Sequence, residues 1–217
     1  MNKKEIVKRY LLFIISLFFS ALGVAFTKHG ELGVSPISSV ANVLSCKFDF
    51  LSIGVWLIIW NCILILGQIL ILKKKFQLIQ LLQIPLSFLF GYFTDLGMWA
   101  VSWIPTNLYI MKISMVLAGI IILGFGISLS VIANVIMNSG EAFVKAISDT
   151  IHKQFGNVKI AFDIICVVIA VLLSLLLFNF NIVGTREGTI LSALLVGVVV
   201  KFFNKHLHRP INSILIS

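Results

Sequence analysis

The chain has 217 residues, of which 59% are hydrophobic and only 12% charged, with a net charge of +9. A soluble domain carries about a quarter charged residues, so this composition cannot cover a water-facing surface, and it excludes a soluble enzyme, a nucleic-acid binder and a disordered tail. Three cysteines (Cys46, Cys62, Cys166) are odd in number and lack metal spacing; they imply neither a disulfide framework nor a metal site and read as packing thiols.

A bilayer core about 30 Å thick needs about 20 helical residues. Charge-free runs occupy 10–27, 50–72, 76–94, 113–140, 164–185 and 188–200. They predict an all-α membrane protein, a single polytopic domain over 1–217. Its six transmembrane helices are expected near 10–27, 52–72, 77–102, 109–134, 159–179 and 186–203. The first run follows Lys3, Lys4, Lys8 and Arg9, as a secretory leader would. It is longer than a leader's apolar core and no small-x-small cleavage site follows, so it reads as a retained helix.

Threading six spans from a cytoplasmic N-terminus puts thirteen bases inside: Lys3, Lys4, Lys8, Arg9, Lys73, Lys74, Lys75, Lys145, Lys153, Lys159, Lys201, Lys205 and Arg209. Four fall outside: Lys28, Lys47, Lys112 and Arg186. The positive-inside rule then predicts that both termini are cytoplasmic. Bases in short clusters at helix ends can snorkel to headgroups, so the partner they imply is the lipid bilayer and not nucleic acid. Trp99 and Trp103, one turn apart, suit an aromatic belt.

The chain also repeats. Gly23 and Gly126 lie 103 apart, Gly54 and Gly156 lie 102 apart, and Gly91 and Gly197 lie 106 apart. The halves 10–103 and 109–203 each read as helix, polar connector with a short helix, helix, helix. Three spans per copy is odd, so the second copy enters the membrane upside down. The expected fold is therefore two inverted three-helix repeats, each with a short broken or re-entrant helix, as in many secondary transporters. A duplicated scaffold without transport is the alternative.

The connectors, 28–49 and 138–157, carry the short helices. Ser35 is placed to N-cap the first, with Pro36 at its first position. Ser139 is placed to cap the second, with Gly140 and Glu141 in its first turn. Such helices are too short to span; they lie on the interface or dip inward. If both dip in, two helix N-termini converge and suit an anion or polar head.

Other polar residues lie within apolar runs. Asn61 either pairs with a neighbouring helix or binds a ligand. Asp163 either pairs with Lys159 at i, i+4 or binds a proton or cation. Gln77, Gln80 and Gln83 form a stripe that should face the bundle interior or a wet cavity, and not lipid. No catalytic triad, metal cluster or phosphate-binding loop is present, so no catalytic residue, metal or cofactor is expected. A polar cavity between the repeats is expected to be lined by Gly33, Ser35, Pro36, Asn61, Gln83, Ser139, Gly140, Glu141 and Asp163.

ELGVSPISS, LIQLLQIPLSFLFGYFTDLGMW, GEAFVKAIS and GTREGTILSALLVGVVVKFF together resemble the bacterial YczE/YyaS/YitT membrane proteins, in particular the YczE-like branch. That resemblance covers nearly the whole chain. It implies a protein of the bacterial cell (cytoplasmic) membrane and carries over no ligand or catalytic residues.

The leading functional expectation is a small secondary transporter or exporter of a small polar or anionic solute, with proton or cation coupling. One rival is a substrate-binding membrane subunit similar to the capture proteins of vitamin importers. Another is a non-transport scaffold. A homo-oligomer is compatible with all three.

Overall fold

The computed structural model describes residues 3–216, leaving the termini, Ser217 included, outside the described residues. Six helices are long and apolar enough to cross a bilayer: α1 (Lys3–His29), α3 (Ile53–Leu72), α4 (Gln83–Val101), α5 (Tyr109–Ala133), α7 (Phe155–Leu177) and α8 (Glu187–Ile216). Two short helices, α2 (Pro36–Lys47) and α6 (Ser139–Ile151), lie between them. The order long, short, long, long thus occurs twice. The chain is a multi-pass membrane protein, and helices are its natural elements because lipid offers no partner for an open backbone.

Three boundaries differ from the sequence reading. α1 starts at Lys3, because the charged segment before residue 10 continues the helix. Glu5 and Arg9 pair one turn apart at 2.9 Å, which favours helix. α8 runs past residue 203 to Ile216 with Pro210 inside it, so Lys201, Lys205 and Arg209 share one helix. The third long helix begins at Gln83 instead of 77. Two 3₁₀ turns, Lys73–Lys75 and Leu78–Leu82, precede it, and Pro85 sits in its first turn, where its missing N–H costs nothing. The expected Gln77–Gln80–Gln83 stripe therefore does not form: Gln77 is exposed on the 3₁₀ segment, and only Gln83 is buried in α4.

α1 and α5 form the spine. A Cβ placed on Gly23 would lie 2.5 Å from the backbone nitrogen of Leu123, and one on Gly126 would lie 2.5 Å from that of Ser20. Gly119 meets Thr27 and Gly30 meets Val116 in the same way. As numbers rise along α1 they fall along α5, so the two helices run antiparallel with their backbones nearly touching. Small residues allow this approach, and packing replaces the hydrophobic drive that lipid does not supply.

α4 lies against α1, and α8 against α5. α2 packs on α7 and α3, while α6 packs on α3 and α7. α2 is inside the protein: Pro36 and the run from Ser38 to Val43 are all buried. Asn42 Nδ2 donates to the Gly184 carbonyl at 2.5 Å. The turn before α2 is pinned to the start of α8 by an isolated bridge between Gly33 and Thr185 and by Gly188 N–H donating to the Leu32 carbonyl at 2.8 Å.

The far end of α8 is held too. Arg9 Nη2 donates to Asn212 Oδ1 at 3.1 Å, and Lys8 Nζ donates to the Ile214 carbonyl at 2.9 Å. Arg9 Nη1 also donates to the carbonyls of Ile132 and Ala133. These are last-turn carbonyls of α5 that no helical N–H can reach. One guanidinium thus joins α1, α5 and α8.

The pairing breaks in one place. α3 packs closely along α4, but among the described residues α7 makes no comparable contact with α8.

Candidate functional site

The polar residues that interrupt the apolar runs converge. A cavity of about 570 Å³ is lined by residues of all eight helices. Ser35 and Pro36, at the start of α2, and Ser139, Gly140 and Glu141, at the start of α6, line it together with Asn61, Gln83 and Asp163. Gly33 does not line it. Its backbone adopts φ +105° and faces Thr189 and Arg186 closely, a conformation and an approach only glycine accepts, so Gly33 holds the connector against α8.

The N-termini of α2 and α6 meet at the cavity wall: Gly140 lacks a Cβ where the Ile37 side chain passes. The N-caps are Ser35 and Asn138, so Ser139 is the first helical residue and not the cap. Neither cap side chain closes its helix. Ser35 Oγ donates instead to Ser38 Oγ at 3.1 Å. First-turn N–H groups left uncapped beside a cavity favour a bound anion or acceptor.

Lys159 Nζ lies 2.5 and 2.6 Å from the two carboxylate oxygens of Asp163. This is the i, i+4 pair of the structural reading, and both residues also line the cavity. Glu141 stands on α6, outside the six spans. Burial raises its carboxyl above the ordinary range; Lys159 opposes that and Asp163 adds to it. The Asn61 amide makes no hydrogen bond to the described residues. Ser20 Oγ, Trp60 Nε1 and Ser192 Oγ also line the cavity without a partner among them. Most of the remaining wall is apolar, built by residues that include Phe13, Leu57, Leu86, Phe90, Leu123 and Ile127. The arrangement can hold a small amphipathic or polar molecule by a few hydrogen bonds and one ion pair.

Sequence reasoning missed Gln68. Its amide is fully buried and forms a reciprocal pair with Gln83: Gln68 Nε2 donates to Gln83 Oε1 at 3.0 Å, and Gln83 Nε2 donates back at 3.2 Å. Gln68 Nε2 also donates to the Ser139 carbonyl at 3.0 Å. It thereby ties α3, α4 and the N-terminus of α6 at the cavity edge. The signal was present, since Gln68 lies seven residues, or two turns, beyond Asn61. We expect Gln68→Leu to leave the Gln83 amide unpaired and to lower stability by about 2 kcal/mol, read as a loss of melting temperature in detergent. An unchanged melting temperature would mean the amide pair contributes nothing.

The whole span of helices that builds this cavity is shared with other proteins. The chain belongs to a family of unknown function, DUF6198. The family pattern matches residues 7–205, from α1 into α8. No curated protein and no solved structure matches the chain.

Proposed function

We propose that the protein is a small secondary transporter or exporter, and that the cavity between its halves alternately faces the two sides of the membrane. The observation that carries this reading is the convergence of two uncapped helix N-termini, one from each half, on one cavity. The antiparallel α1–α5 spine supports an inverted relation between the halves, because each half would contribute its first helix with opposite sense. The contacts support it also: α4 on α1 corresponds to α8 on α5, and α2 on α7 to α6 on α3. The solute is a small molecule with an anionic or strongly hydrogen-bond-accepting group. From the distribution of bases we infer cytoplasmic termini, in keeping with the resemblance to YczE-like proteins of the bacterial cell membrane.

Glu141 is the coupling group in this reading: it takes up a proton as an anionic solute enters and releases it on the other side. The folded protein holds that proton more tightly than the unfolded chain does. The associated stability is therefore present below the ordinary value of 4.5 and is lost as pH rises through the raised folded value. We expect the wild-type melting temperature to fall over that window and Glu141→Gln to flatten the dependence. In proteoliposomes, uptake of small carboxylates should depend on a pH gradient in the wild type and not in Glu141→Gln. Identical pH profiles for the two proteins would remove Glu141 from the coupling role. Absence of uptake, with no thermal shift for any carboxylate, would overturn the transporter.

A further inference from the structure

The α3–α4 contact and the α7–α8 gap are built from matching residues. Gly91 on α4 packs into Gly54 on α3: a Cβ on Gly91 would lie 2.6 Å from the Gly54 carbonyl oxygen. Their counterparts by sequence offset, Gly197 on α8 and Gly156 on α7, have nothing within 4 Å of an added Cβ. The match extends along the helix. α4 presents Ser87, Gly91 and Asp95 at successive i+4 positions, and α8 presents Ala193, Gly197 and Lys201, each 106 residues later. The three residues on α8 line the cavity and are exposed, as is Ile160 across the gap on α7. The cavity therefore runs out between α7 and α8.

The two sides differ in charge at the position that holds the contact shut. Asp95 accepts from Ser52 Oγ at 2.5 Å and from Gly54 N–H at 2.9 Å, so a carboxylate sits at the N-terminus of α3. A negative group there is favoured by the helix dipole and by the unpaired N–H groups. The corresponding position on α8 holds Lys201, which makes no hydrogen bond to the described residues. An ammonium brought to the N-terminus of α7 would meet the positive end of the dipole and could accept nothing from its N–H groups.

We propose that α7 and α8 form a gate: they close on each other through Gly156 and Gly197 as α3 and α4 do through Gly54 and Gly91, and Lys201 biases the gate open while Asp95 latches its counterpart shut. The gate rests on the transporter reading only for its purpose, since its geometry can be tested without a solute. The charged groups that face it are Lys159, Asp163 and Glu141 across the cavity. Replacing Lys201 by an acid supplies the missing latch and places a negative charge opposite Lys159.

The test uses Ala193, which is exposed in the gap and whose counterpart Ser87 is buried. In a background with Cys46, Cys62 and Cys166 replaced by alanine, Ala193→Cys in membranes should react with a small maleimide that enters through the gap. Adding Lys201→Asp should slow the reaction about tenfold or more by populating the closed arrangement. Adding Gly197→Leu to that variant should restore the rate, because the side chain fits the open gap and obstructs its closure. Melting curves establish that each variant is folded, and Lys201→Glu replaces Lys201→Asp if the latter is not. No labelling of Ala193→Cys would overturn the open gap. Labelling unaffected by the acid at 201 would overturn the latch. The expected labelling pattern without transport of any solute would leave the gate standing and sink the transporter reading alone.

Discussion

Gly23→Leu should abolish the folded protein. At this position α1 and α5 meet backbone to backbone, and an added Cβ would stand 2.5 Å from the nitrogen, and 2.7 Å from the Cα, of Leu123. Those atoms belong to a helix that is itself pinned by Gly119, Gly126 and Arg9. Neither helix can yield without losing contact along its whole length. Overpacking in a tight core costs about 1–3 kcal/mol when side chains can adjust. Here the obstruction is backbone, so the cost should be about 3 kcal/mol or more, a large share of the stability of an ordinary domain. The readout is recovery of monodisperse protein from detergent, with Gly156→Ala as the control. Gly156 has no neighbour within 4 Å, so its replacement should be neutral or slightly stabilising through helix propensity. Equal recovery of Gly23→Leu and Gly156→Ala would contradict the packing of the spine.

Lys159→Met is expected to have the largest effect at the site. Its ammonium holds both oxygens of Asp163, and the two side chains are 29% and 25% exposed, onto the cavity. Removing one partner of a fully buried pair costs about 3–5 kcal/mol; access to the cavity reduces that to about 2 kcal/mol. The single variant should melt lower and lose its thermal response to carboxylates. Adding Asp163→Leu removes the stranded charge and should recover most of the stability, while the response stays lost. A double-mutant cycle with no coupling energy would show that the pair is not an interacting unit.

The spans were legible because bilayer thickness limits the length of an uncharged run. Their ends were not. α1 and α8 continue into charged sequence, where water accepts side chains that lipid rejects, and nothing in Lys3–Arg9 or Lys201–Arg209 breaks a helix. The cavity was legible for the same reason as the spans: a polar group in hydrocarbon is costly, so Asn61, Gln83 and Asp163 stand out in their runs and turn inward together with the starts of α2 and α6. Gly33 was misplaced because a turn glycine can serve a ligand or a neighbouring backbone, and sequence does not separate the two. The gap between α7 and α8 had no sequence signature. Gly54, Gly91, Gly156 and Gly197 are alike as residues and differ only in what packs on them.

α8 is fastened at both ends, and between them it rests on α5 along one face and is open along the other. Its start is joined to Leu32 and Gly33, and its far end to Lys8 and Arg9. Between these supports Leu195, Val196 and Val199 pack on α5, while an added Cβ on Gly197 would meet nothing within 4 Å. Mechanically it is a beam clamped at two supports and backed along one side by α5, so it cannot swing as a door does; it can only bow toward its open side. The softest point of such a beam is where the side chain is smallest, and that is Gly197, at mid-span. Displacement of a clamped helix falls off toward its supports. The movement that narrows the cavity is thereby confined to the turns around Gly197, while the two clamped ends of α8 keep their place.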